Sequence, residues 1–243
     1  MAKDSVVGRS GLKSTICAVS AAALLLVATD SGDKAHAAFV AAVCNDAACS
    51  GGNDFFFTEN SPGFINFSVS NAFGYSVTGG LAFSKPLLGS STSPEIDLTY
   101  SAVKGTSGSA TIFMYASDTD FTGSSGPFQF SVGGTNSGNS GTVTANAWGG
   151  TSNNTFDRTS LLGTLGPFAT LNYSGSVFGQ YNPTANPYSL TIGLAITRST
   201  PGSSTGDLNF SAVPGPVLGA GLPGIILACG GLVALARRRR MAA

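Results

Sequence analysis

Short runs in which apolar and polar residues alternate recur through the middle of this 243-residue chain. Ile65, Phe67 and Val69 alternate with Asn66 and Ser68, and Ile96, Leu98, Tyr100 and Ala102 alternate with Asp97, Thr99 and Ser101. Phe128, Phe130 and Val132 flank Gln129 and Ser131. Leu190, Ile192, Leu194 and Ile196 repeat the pattern, and Leu208, Phe210 and Ala212 close the series. Successive strand side chains point to opposite faces, so each run predicts a strand with one buried and one wet face. Nine or ten such strands are expected between turns rich in Gly, Ser, Asn and Pro. One-sided strands of this kind form antiparallel sheets, and two sheets must pack together to hide their apolar faces. The predicted fold is therefore all-β, an antiparallel β-sandwich of jelly-roll-like or Greek-key type.

Finer expectations follow from the same pattern. Residues 71–74 read as a turn, and 104–108 as a hairpin turn leading into a strand over 110–116. Residues 118–127 read as a polar turn, and 153–162 as a loop with a short helical turn. Phe55, Phe56 and Phe57 read as an anchor tucked into the core.

The two ends break the alternation. Lys3, Arg9 and Lys13 precede an apolar run over 16–28, the layout of a signal helix too short to be a stable membrane span. Ala35 and Ala37 offer small residues to a signal peptidase, which places the cut before Ala38. Residues 1–37 are thus expected to be a signal peptide. At the other end, 217–236 carries no charge and is long enough, at about 1.5 Å per residue, for a transmembrane helix. Arg237, Arg238, Arg239 and Arg240 follow it and hold the C-terminus on the cytoplasmic side. The region between, 38–212, becomes an exported domain.

The segment 213–243 also carries a family resemblance. Val213, Pro214, Gly215 and Pro216, then the apolar helix, then the arginine cluster, resemble the PEP-CTERM sorting signal of Gram-negative bacteria, with glycine at 215 where that family has glutamate. The resemblance implies an exosortase-like processing enzyme that acts near the motif. It implies residence in the inner membrane with the body in the periplasm, then release to the cell surface or beyond. It also implies a link with exopolysaccharide and biofilm.

Charge and composition narrow the body further. Between 38 and 213 stand four bases, Lys85, Lys104, Arg158 and Arg198, against nine acids. An acidic body is a poor match for a phosphate backbone, so nucleic acid is not an expected partner. Cys17 leaves with the signal and Cys229 sits in the tail, which leaves Cys44 and Cys49 to form a disulfide outside the cytoplasm. The sole histidine, His36, lies in the segment expected to be removed. The body then lacks imidazole, which excludes a Ser-His-Asp triad and histidine metal ligands. No cofactor is expected.

Three smaller constellations remain. Glu95 and Asp97 share one strand face and are the nearest approach to a glycosidase carboxylate pair. Asp118 and Asp120 precede Gly123 with the opening spacing of a calcium loop, but Gln129 stands where the bidentate Glu belongs. Trp148, Tyr173, Tyr181 and Tyr188 are the candidates for an aromatic sugar platform. The first reading is a non-enzymatic exported surface or extracellular-matrix protein with a C-terminal sorting and anchoring signal. The alternative is a carbohydrate- or calcium-binding module. A carboxylate-based glycosidase is the third reading.

Overall fold

The computed structural model describes residues 38–138 and 141–213. Twelve strands occur there: β1 (Val40–Cys44), β2 (Phe55–Thr58), β3 (Phe64–Ala72), β4 (Tyr75–Phe83), β5 (Glu95–Lys104) and β6 (Ala110–Phe121), then β7 (Gly126–Asn136), β8 (Gly141–Gly150), β9 (Ser160–Phe168), β10 (Asn172–Tyr181), β11 (Tyr188–Arg198) and β12 (Gly202–Ala212). No helix occurs among the described residues. All named pairings are antiparallel.

Sheet A has the order β2-β1-β6-β11-β8-β9, and sheet B the order β10-β7-β12-β5-β4-β3. The apolar set of each alternating strand faces the other sheet. On β5 these are Ile96, Leu98, Tyr100 and Ala102, all buried. On β11 they are Leu190, Ile192, Leu194 and Ile196. Together with partners from nearly every strand they make one core between the layers. From β5 onward the chain crosses between sheets at almost every step. The resulting orders, β5-β12-β7-β10 and β6-β11-β8-β9, are those of two interlocked Greek keys, a jelly roll. β3 and β4 widen one sheet, and β1 and β2 widen the other.

Several expectations are corrected. Residues 104–108 do not turn a hairpin: β5 pairs with β4 and β12, whereas β6 pairs with β1 and β11. The segment is an arch from one sheet to the other. The expected polar turn over 118–127 is in part strand, because β6 continues to Phe121. Ser117, Asp118 and Thr119 are buried there, each engaged in hydrogen bonds that make burial tolerable. A register shift between Tyr188 and Leu190 on β11 accommodates the extra residue. Residues 153–162 hold no helical turn, and β9 begins at Ser160. The phenylalanine run is the edge strand β2. Phe57 stacks on Phe67 with ring centroids 5.2 Å apart, but Phe55 and Phe56 are 39% and 53% exposed. Strand alternation sends consecutive residues to opposite faces, so a run of three cannot all enter the core.

The expected signal peptide with Ala35 and Ala37, the motif residues Pro214, Gly215 and Pro216, the transmembrane helix 217–236 and Arg237 to Arg240 lie outside the described residues. Among the described residues no helix is long and apolar enough to cross a membrane.

Candidate functional site

One end of the sandwich is open. The loop before β5, the β6–β7 connection and the ends of β10, β11 and β12 surround a cleft of about 320 Å³. Its rim carries the hydroxyls of Thr92, Ser93, Ser124 and Ser125, and its floor is Phe128, Phe210, Tyr181 and Tyr188. Aromatic packing fixes the floor: Phe128 and Phe210 stack at 5.1 Å, and Tyr181 meets Tyr188 edge-on at 5.2 Å. Backbone bonds fix the rim. Ala212 N–H donates to the Pro94 carbonyl and Val213 N–H to the Pro127 carbonyl, each at 2.9 Å, and Thr122 N–H donates to Ser91 at 2.8 Å. Gly123 is required here, since a Cβ would lie 2.9 Å from the Thr92 carbonyl oxygen and 3.3 Å from the Tyr188 hydroxyl.

No charged side chain lines the cleft. Burial, then the neighbouring Tyr188 and Asp157, pushes the Tyr181 phenol up to about 12, and burial alone does the same to Tyr188. Both stay neutral donors at any physiological pH. The buried Tyr181 hydroxyl has no hydrogen-bond partner among the described residues.

Of the four aromatic residues singled out in the sequence, Tyr181 and Tyr188 meet in the cleft floor, and Trp148 and Tyr173 do not join them. Tyr173, Tyr181 and Tyr188 belong to the core between the sheets. Trp148 lies on the outer side of sheet A, in a second cluster with Phe113, Tyr115 and Phe156. Arg158 covers that cluster, 4.9 Å from the Tyr115 ring and 5.7 Å from the Trp148 ring. It also donates to the Ala47 carbonyl, as does the Tyr115 hydroxyl at 3.0 Å. Cys44 and Cys49 form the expected disulfide, and both touch this cluster.

The carboxylates are also redistributed. Glu95 and Asp97 do share the outer face of β5, as read from the alternation, and β12 adds Asp207 beside them. Burial first, and Asp207 second, raise the Asp97 carboxyl to about 7. Asn209 donates to Glu95 at 3.4 Å, and Thr99 to Asp207 at 3.0 Å. Asp207 could not be found from the sequence, because it lies 110 positions from Asp97 and arrives only through strand pairing.

Asp118 and Asp120, the calcium candidates, face different neighbours. Asp118 is fully buried and accepts from Lys85 at 2.7 Å, from the Ser84 hydroxyl at 2.6 Å and from the Thr119 N–H at 2.7 Å. Burial pushes its carboxyl up, against the pull of Lys85. Asp120 accepts from the Asn153 side-chain amide at 2.7 Å. Among the described residues no group of three or more metal-ligating side chains converges.

Comparison of the sequence with protein families finds no match, and comparison with curated proteins finds none. Comparison with solved structures finds distant likenesses. The enzymatically active domain of tailspike protein 4 from bacteriophage CBA120 matches with TM-score 0.34 and 12% identity over 61% of this chain. The N-terminal xylanase 10B of Clostridium thermocellum, with its carbohydrate-binding module and in complex with xylohexaose, matches with TM-score 0.32 and 13% identity over 64%. A carbohydrate-binding module of the β-sandwich superfamily matches with TM-score 0.32 and 10% identity, over 71% of this chain and 83% of that one. The chain spans 21% of the tailspike chain and 29% of the xylanase chain. TM-scores this low carry no functional argument.

Proposed function

We propose that the β-sandwich is a non-catalytic carbohydrate-binding module of an exported protein. The observation that carries this reading is the end cleft, with its apolar aromatic floor, hydroxyl rim and absence of charge. A pyranose ring offers C–H faces to aromatic rings and hydroxyls to Ser and Thr, and this cleft supplies both. Its volume suits one or two sugar units at the low end of the range for ligand pockets.

Electrostatics select the class of sugar. Lys85 is paired with Asp118, Lys104 and Arg198 are buried, and Arg158 is spread over two aromatic rings. None of the four bases among the described residues is exposed, while Asp207 is. An acidic glycan therefore finds an exposed carboxylate and only buried or half-buried, already engaged cations among the described residues, so the ligand is a neutral glycan. A glycan array probed with the full chain, extracted in detergent, tests this. Binding to neutral oligosaccharides that Ser124→Trp removes is the expected result. Binding confined to uronic-acid polymers would reject it.

Export and sorting complete the reading. A signal peptidase removes 1–37, the 217–236 segment holds the body at the inner membrane with the body in the periplasm, and an exosortase-like enzyme acts near Pro214, Gly215 and Pro216. The signal and the membrane segment rest on the pattern of charge and apolar residues, and the exosortase step on the sequence resemblance. Mass spectrometry of the surface form is expected to begin at Ala38 and to lack Arg237 to Ala243. A form that keeps both ends would leave the module a permanent membrane protein.

A further inference from the structure

The Lys85–Asp118 pair has the arrangement of a reaction centre. Lys85 follows β4 of sheet B, and Asp118 stands on β6 of sheet A. Their side chains are 12% and 0% exposed, and Lys85 Nζ lies 2.7 Å from Asp118 Oδ2. The Ser84 hydroxyl donates to the same Oδ2 at 2.6 Å, while the Thr119 N–H donates to Oδ1 at 2.7 Å. The Phe121 ring covers the amine at 3.9 Å. Lys85 also donates to the Thr119 carbonyl, which fixes its direction of approach.

These contacts place a nucleophile, a donor at the leaving oxygen and a donor at the oxygen that becomes the oxyanion around one carboxyl carbon. We propose that Lys85 and Asp118 condense to an intramolecular isopeptide bond that joins the two sheets covalently. The step balances without a co-reactant. The ammonium of Lys85 passes a proton to Asp118 Oδ2, giving an amine and a carboxylic acid. The amine attacks Cγ, and Oδ1 takes the negative charge against the Thr119 N–H. A second proton from the nitrogen reaches Oδ2, with the Ser84 hydroxyl alongside, and the C–Oδ2 bond breaks to release water. The products are a neutral amide and one water.

Three physical terms favour it here and not in solution. Two charges buried together carry a desolvation cost of several kcal/mol each, and a neutral amide that keeps the hydrogen bonds carries far less. Fixed contact gives well-oriented groups effective concentrations on the order of 10⁵ M or more. Burial of the Asp118 carboxyl, at 0% exposure, limits the access of water and so opposes the reverse hydrolysis. Burial also raises the Asp118 carboxyl, in line with a protonated acid as the reacting form.

The test is a protease digest of the full chain under denaturing, reducing conditions, read by mass spectrometry. The expected product is one branched peptide that contains both Lys85 and Asp118 and is lighter than its two arms by one water. Recovery of both arms as separate linear peptides from folded wild type would overturn the proposal, with no variant needed. Lys85→Arg keeps the positive charge and cannot form the amide, so the branched peptide is lost while the thermal unfolding transition persists. Asp118→Asn releases ammonia in place of water and yields a branched peptide of the same mass. Chain held in denaturant from synthesis onward remains linear, and a branch there would overturn the role given to the folded site.

Discussion

Two cations close this sandwich, one at each end of β6, and their surroundings differ. Arg198 pairs across from Ala110 at the start of β6, and Lys85 meets Asp118 near its finish. Arg198 is fully buried on neutral oxygens: the Ser203 carbonyl and Ser204 hydroxyl at 3.1 Å each, and the Ser137 carbonyl. Lys85 has a carboxylate. A guanidinium stays protonated in proteins and presents a rigid fork, so it can hold several carbonyls of two turns at once. An ammonium can give its proton away, so the same task of tying sheet to sheet becomes open to chemistry at one end only. The glycines around Arg198 belong to that pin. A Cβ at Gly141 or Gly202 would collide with its guanidinium, so these turns are glycine because the arginine fills the space.

The contrast can be broken first at the arginine. Arg198→Ala empties a large site and orphans carbonyls in two turns, with an expected loss of about 3–5 kcal/mol in chemical unfolding. Arg198→Lys should recover less than half of it, since the fork is lost. Asp118→Ala comes next, at about 3 kcal/mol near neutral pH against wild type whose Lys85 and Asp118 are not yet joined, because it leaves the buried Lys85 ammonium without its carboxylate. If the two ends were equivalent supports, these losses would match, and the replacement of charge by neutral oxygens would be harmless at either.

The disulfide supplies a control at neither end. Cys44 and Cys49 are separated by 5 positions, and so short a loop restrains little of the unfolded chain. Cys44→Ser with Cys49→Ser is expected to cost about 2 kcal/mol in thermal unfolding. The smallest effect belongs to the outer face of sheet B. Asp97 has its carboxyl raised from 3.8 to about 7, so the folded state binds more protons than the unfolded state between those values. Stability conferred by the protonated form is present at low pH and declines as pH rises from about 4 to 7. Asp97→Asn is expected to flatten that decline by about 1 kcal/mol after solvent screening, seen as a smaller difference in Tm between pH 5 and pH 8. An unchanged difference would mean that neither burial nor Asp207 raises the Asp97 carboxyl.

Much of this architecture could be read from the sequence, and what could not has a common cause. The strands β5 and β11 announce themselves because Ile96, Leu98 and Tyr100, like Leu190, Ile192 and Leu194, alternate without exception. Alternation does not say which strand lies beside which, so the arch after Lys104 looks like a hairpin. It also misleads where polar residues are buried. Asp118 and Thr119 read as turn, because nothing local shows that Lys85 and Ser84, more than thirty positions earlier, will come to meet them. The cleft shares this origin. Its hydroxyl rim is built from two separate connections, before β5 and between β6 and β7, so of the cleft only the floor tyrosines Tyr181 and Tyr188 could be named in advance as a sugar platform, and then in company with Trp148 and Tyr173.

The entry to β1 and the exit from β12 lie at one pole of the sandwich, and that has a mechanical meaning. Ala38 N–H donates to Thr119, and Val213 N–H donates to the Pro127 carbonyl, so the residues that lead into β1 and out of β12 both lie at the Lys85 pole. Tension drawn between them enters β12 and β1 from one side, and unfastens their ladders rung by rung in place of shearing whole strands at once. The knot between Lys85 and Asp118 stands beside the point of entry, like a rivet at the mouth of a zip. The Arg198 pole, at the far side, feels that load last.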